Sequence, residues 1–140
     1  VLTTPLQNSF LVCAALNDGV LMKPYLVDHV QNHDGEVVTQ NEPEQAKQLL
    51  STEEAAVLRR YMRETVTSGT ATALSSSNYK AGGKTGSAQY KAGSSDSHAW
   101  FAGYAAKGEK KLVVSIIVEG AGTGSAYAVP IARKIFDQYF

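Results

Sequence analysis

"SSSNYKAGGKTGSAQ", Ser75–Gln89, is the stretch on which the reading of the fold turns. It holds three short patterns: Ser77-Asn78-Tyr79-Lys80 reads S-x-x-K, Ser76-Ser77-Asn78 reads S-x-N, and Lys84-Thr85-Gly86 reads K-T-G. Only the third stands in a context that its geometry requires. An S-x-x-K pair works from a helix, which puts serine and lysine on one face a turn apart. Ser75–Asn78 is instead a cluster of turn formers, followed at once by Ala81-Gly82-Gly83. The S-x-N match reuses Ser77, so one residue would have to fill two places. Ser77 is read as part of a serine-rich approach loop and not as a nucleophile.

Lys84-Thr85-Gly86-Ser87 opens a strand, where alternate side chains share a face, so Thr85 and Ser87 point together toward a cleft. Gly86 between them leaves room for the backbone of a ligand, and an extended substrate can add along this edge as a further strand. A lysine with two hydroxyls suits a carboxylate. The rival reading is a phosphate loop, because Gly83-Lys84-Thr85 ends like G-x-x-x-x-G-K-[ST]. That pattern needs glycine where Asn78 stands and a helix after Thr85, whereas Gly86–Tyr90 reads as strand. His29 and His33 border a hairpin without metal-ligand spacing. His98 begins a strand near the cleft, where a structural hydrogen bond is favoured over contact with substrate.

Outward from this stretch the periodicity is clear. Two further strands, His98–Ala106 and Leu112–Glu119, follow Lys84–Tyr90 across the short polar links Lys91–Ser97 and Lys107–Lys111, which predicts an antiparallel meander. A last helix is expected over about Ser125–Tyr139, kinked or started late by Pro130. Upstream, Thr4-Pro5 starts a helix that is apolar nearly all round and ends at Asn17-Asp18-Gly19, as befits an interior element. Val20–Val30 is strand-like, with Pro24 confining it to an edge. Asp34-Gly35 signals a hairpin returning through Glu36-Val37-Val38, and polar Thr39–Leu50 reads mostly as loop. Ser51-Thr52-Glu53-Glu54 is a capping box. The helix behind it carries Ala55, Leu58, Tyr61, Met62, Thr65 and Val66 as a core stripe and closes at Gly69. A sheet with helices against it, α/β or layered α+β, is the expected class, without an internal repeat or domain boundary.

Composition bounds the function. At 140 residues and 44% hydrophobic content the chain can bury a core, and 13 basic against 13 acidic residues leave no electrostatic footprint for nucleic acid. Arg59, Arg60 and Arg63 are expected on one solvated helix face. Cys13, the single cysteine, excludes an intrachain disulfide and reads as a buried, inert thiol among apolar neighbours. No apolar run approaches a membrane span, and Val1-Leu2-Thr3 is not a translation start, so a piece of a larger protein is expected.

"TTPLQ" at Thr3–Gln7, "KPYLV" at Lys23–Val27, "GGKTGSAQ" at Gly82–Gln89, "HAWFAGYA" at His98–Ala105 and "VPIARKIFD" at Val129–Asp137 occur in this order in penicillin-binding protein transpeptidase domains. The chain resembles that family over essentially its whole length, and its class B members more than class A. The resemblance implies the C-terminal portion of one transpeptidase domain, covering residues 1–140. In the family, a serine attacks the D-Ala-D-Ala bond of a peptidoglycan stem peptide and passes the acyl group to another peptide's amine. Beta-lactams mimic that substrate. Carried over by motif, Lys84 supports electrostatics and proton traffic, Thr85, Gly86 and Ser87 bind substrate, and the Ser87 N–H supplies one oxyanion donor. Serine at 87 replaces a common threonine.

The resemblance implies no cofactor and no metal. It implies stem peptides and beta-lactams as ligands, a glycan polymerase as partner, and the extracytoplasmic face of the bacterial membrane, with the anchor elsewhere. The family's S-x-x-K helix and S-x-N loop lie upstream of "TTPLQ", so the nucleophile is expected outside this chain and the fragment inactive alone. The strand Leu112–Glu119 and the first helix are then expected to be uncovered, to be buried by the missing portion or by self-association. Two other readings stay open: a non-catalytic module with the same fold, or a piece of a serine beta-lactamase or D,D-carboxypeptidase. The "HAWFAGYA" strand and "TTPLQ" helix favour a transpeptidase.

Overall fold

The computed structural model describes residues 2–90 and 95–140; Val1 and part of the link read between the first two meander strands lie outside them. Its centre is a three-stranded antiparallel sheet, β5 (Lys80–Gln89), β6 (Ser97–Lys107) and β7 (Lys110–Val118), in the order β5-β6-β7. Lys84 pairs with Ala102, Thr85 with Phe101 and Ser87 with Ala99. The expected meander is therefore present, but β5 begins four residues earlier than the sequence suggested. Gly82 and Gly83 are strand residues rather than turn formers, because aromatic rings from β6 occupy the space beside them. A Cβ on Gly83 would lie 2.5 Å from the ring of Phe101, which is fully buried.

Three helices cover the sheet: α1 (Pro5–Leu16), α2 (Thr52–Thr67) and α3 (Gly124–Tyr139). Both N-terminal boxes close reciprocally. Gln7 N–H donates to Thr4 Oγ1 at 3.2 Å and Thr4 N–H to Gln7 Oε1 at 2.9 Å, and Ser51 and Glu54 make the same exchange. α1 packs with Tyr104, Ala102 and Val113 on one sheet face. α3 packs Ala128, Val129, Ala132 and Phe136 on the other, against Ala81, Ala99, Phe101 and Ala105. α2 contributes Met62 to the first cluster and Val66 to the second.

Several expectations need correction. Thr39–Leu50 is not mostly loop: β4 (Gln45–Gln48) pairs antiparallel with β1 (Val20–Met22), and Lys23 meets Glu44 beside them at 2.5 Å. The strand read over Val20–Val30 is two, β1 and β2 (His29–Gln31); β2 forms the expected hairpin with β3 (Val37–Gln40). α1 buries Val12, Ala14 and Ala15 but leaves Leu6 and Leu11 about 60% exposed, because the described residues cover only one of its sides. Cys13, nearly opposite Leu11 on the helix and beside Leu112 and Val113, is also exposed, although its neighbours exclude enough water to push its thiol pKa up. Tyr61 is exposed with Arg60 over its ring, whereas Met62 is core. Arg59 and Arg63 are tethers rather than a solvated face: Arg59 donates to Ala15 O at 2.6 Å and meets Asp18, and Arg63 donates to Ala81 O at 2.7 Å. α3 runs as one helix through the exposed Pro130, starting at Gly124 and not late.

Candidate active site

β5 is an edge strand, and its period of two divides the motif between the faces of the sheet. Thr85 and Ser87 stand opposite Phe101 and Ala99, on the face covered by α3. Lys84 stands opposite Ala102, on the face covered by α1. The ammonium and the two hydroxyls thus reach one strand edge from opposite sides, and they meet only where the edge is open. Lys84 Nζ donates to Thr85 O at 2.7 Å, bending back toward its neighbour. An ammonium carries three donors, so two remain. No carboxylate pairs with Lys84 among the described residues.

A groove of about 360 Å³ runs along this edge, lined by Lys84, Thr85, Gly86, Ser87, Ala88, Trp100 and Ala102, with Thr3 and Asn8 from the start of α1. Lys84 also lines an adjoining apolar cavity of about 230 Å³ with Leu11, Val12, Leu58 and Met62. Gly86 is the narrow point, where a Cβ would come within 3.2 Å of the Trp100 side chain. The site is a charged and hydroxylic rim on an apolar floor, suited to an extended ligand ending in a carboxylate.

Two features escaped the sequence. Thr70, in the turn after α2, shares a 2.6 Å hydrogen bond between its Oγ1 and that of Thr85. It lies fifteen positions upstream of its partner, and no spacing rule would have found it. The start of α3 is the other: a Cβ on Gly124 would fall 2.1 Å from Trp100 O and 2.7 Å from Gly86 O. Only glycine lets the helix rest directly on the backbone of the motif strand. The loop before it is clamped to β6, since Gly122 N–H donates to Ser97 O and Ser97 Oγ to Gly122 O.

His98 is structural. Its Nδ1 accepts the Gly120 N–H at 3.0 Å, and its ring stacks on Tyr90 at 4.3 Å. Ser77 lies before β5, in the loop entering the strand at Lys80, the opposite end from Ser87. The structure does not bring it to Lys84.

A K-T-G edge strand with helices on both faces of its sheet is the arrangement that the resemblance to penicillin-binding protein transpeptidase domains implies. The model of the penicillin-binding protein transpeptidase domain matches residues 1–137, and the chain belongs to that family. It is 32% identical to the peptidoglycan D,D-transpeptidase PbpA of Mycolicibacterium smegmatis, over 95% of this chain and 28% of that protein. The D,D-transpeptidase domain of a peptidoglycan glycosyltransferase from Eggerthella lenta superimposes with a TM-score of 0.83 at 32% identity, covering 96% of this chain and 31% of that one. Penicillin-binding protein A of M. tuberculosis, in its imipenem acyl-enzyme complex, gives 0.80 at 28% identity, covering 96% and 30%. The chain therefore spans less than a third of the length of these relatives, and the relatives agree with the class B resemblance. No helix among the described residues is long and apolar enough to cross a membrane.

Proposed function

We propose that these residues form the carboxylate-binding wall of a peptidoglycan D,D-transpeptidase, with the nucleophilic serine supplied by sequence outside the chain. The observation that carries the reading is the convergence of Lys84, Thr85 and Ser87 on one open strand edge above an apolar groove. The hydroxyls of Thr85 and Ser87 donate to the terminal carboxylate of a stem peptide or to that of a beta-lactam. Lys84 sets the positive potential that holds this anion and eases proton movement at the attacking serine. The Ser87 N–H donates to the oxyanion as the carbonyl becomes tetrahedral. The serine–acyl bond forms as the bond to the terminal D-alanine breaks, and the amine of a second peptide then takes the acyl group. A relative captured as an imipenem acyl-enzyme supports acylation chemistry for this family. A glycan polymerase as partner and the extracytoplasmic membrane face as location complete the reading.

The test is the second-order rate of acylation by a fluorescent penicillin, measured on the complete transpeptidase domain that contains these residues. Lys84→Ala should slow it about 10²–10³-fold. Wild-type acylation by Lys84→Ala would overturn the assignment.

A further inference from the structure

The serine-rich approach loop, set aside as a nucleophile, lines a different cavity. Ser76, Ser77, Asn78 and Lys80 border a pocket of about 540 Å³ closed by Arg63 of α2 and by Ala106, Lys107 and Gly108 at the β6–β7 turn, with Tyr79 also in its lining. It lies at the far end of β5 from the K-T-G residues: Lys80 and Ser87 are seven steps apart along the strand, about 23 Å.

Its chemistry is one-sided. Three cations line it and no carboxylate does, although the whole chain is balanced at 13 basic and 13 acidic residues. Glu109 follows Gly108 in the turn but is not in the lining. The donors are arranged from three separate elements. Arg63 spends one Nη1–H on Ala81 O, at 2.7 Å, which fixes the guanidinium and leaves its other N–H groups. Lys107 Nζ donates to Asn78 Oδ1, which ties the turn to the serine loop and turns the Asn78 amide NH₂ outward as a donor. Ser76 Oγ accepts the Asn78 N–H at 3.1 Å, which folds the serine loop over the entry to β5. The Lys80 side chain has no ion-pair partner among the described residues.

We propose that this pocket binds a phosphate-type anion, a phosphate ester carried either by a lipid headgroup or by a soluble or polymeric molecule. A planar carboxylate is served by one fork; a tetrahedral oxyanion is served by donors that approach from several directions, as Arg63, Lys80, Lys107 and the Ser76–Asn78 loop do here. The proposal does not depend on the transpeptidase reading, since no residue of the K-T-G groove takes part.

Titration of the 140-residue chain with inorganic phosphate, followed by amide ¹H–¹⁵N shifts, tests it. Saturable shifts are expected at residues 76–80, 107 and 108, with none at 84–88, and with affinity falling as salt is raised. Lys80→Gln and Lys107→Gln should each weaken binding up to about fivefold, and the double variant more than either. Acetate should bind more weakly than phosphate. Phosphatidylglycerol vesicles form the second arm: co-sedimentation lost in the double variant identifies a lipid headgroup as the source, and phosphate binding without vesicle binding identifies a soluble or polymeric one. No saturable shift, equal affinity for acetate, or a double variant that binds phosphate like the wild type would overturn the proposal.

Discussion

Gly124→Ala should unseat the helix that rests on the motif strand. A Cβ at this position would fall 2.1 Å from Trp100 O and 2.7 Å from Gly86 O. Both are backbone atoms of paired strands, so no rotamer change relieves the overlap. Restoring an ordinary separation of ~3.4 Å lifts the first turn of α3 by about 1 Å and loosens Ala128 and Val129, which are fully buried. Overpacking of this kind costs about 1–3 kcal/mol. Helix propensity alone predicts the opposite sign, but Gly124 is the first residue of α3, where the roughly 1 kcal/mol that favours alanine over glycine in a helix interior applies only in part. The net expectation is a loss of about 1–2 kcal/mol, a fall of roughly 3–8 °C in Tm. Thermal and urea unfolding of the two chains measure it, with Gly108→Ala as the comparison. That site has open space around it and only its φ of +56° to object, so its loss should be smaller. A Gly124→Ala chain as stable as the wild type, or more stable, would refute the close contact between α3 and the K-T-G strand.

Other expectations follow from single groups. Thr70→Val removes the hydroxyl that orients Thr85; on the proposed function it should slow acylation about 3- to 10-fold, the worth of one hydrogen bond, and leave unfolding midpoints nearly unchanged. The Tyr79 hydroxyl is pushed up to about 12, by burial first and then by its hydrogen bond to the Asp137 carboxylate. Its raised folded-state pKa means that the stabilisation is intact below the ordinary 10 and is lost as pH climbs toward about 12, so Tyr79→Phe should flatten that alkaline decline in an unfolding series. Among the described residues β7 has a free edge and α1 carries exposed apolar side chains, so sedimentation of the chain alone should show concentration-dependent association; a compact monomer at all concentrations would contradict this.

What the sequence made legible was local. Thr4 and Ser51 announced two helices, Asp34-Gly35 a hairpin, and the polar links a meander, because caps and turns are written in neighbouring residues. K-T-G pointed to the candidate strand for the same reason. What stayed hidden was held from a distance. β4 is Gln-Ala-Lys-Gln, fully exposed and without alternation, and it is a strand only because β1 pairs with it. Gly82 and Gly83 look like a turn until Phe101 and Tyr104 supply the rings that fill their places. Arg59 and Arg63 look like surface charge until Ala15 O and Ala81 O arrive to accept from them. Thr70 belongs to the same group, and so does the division of Lys84 from Thr85 and Ser87 across the sheet, which required knowing what covers each face.

Intact-mass spectrometry of the chain after incubation with penicillin G tests most directly whether these residues are one wall of a site or the whole of it. Ser77 precedes Lys80 at the far end of β5 from Ser87, so the mass should remain that of the unmodified chain. A stoichiometric acyl adduct that disappears in Ser77→Ala would contradict this and would place the nucleophile inside the stretch Ser75–Gln89.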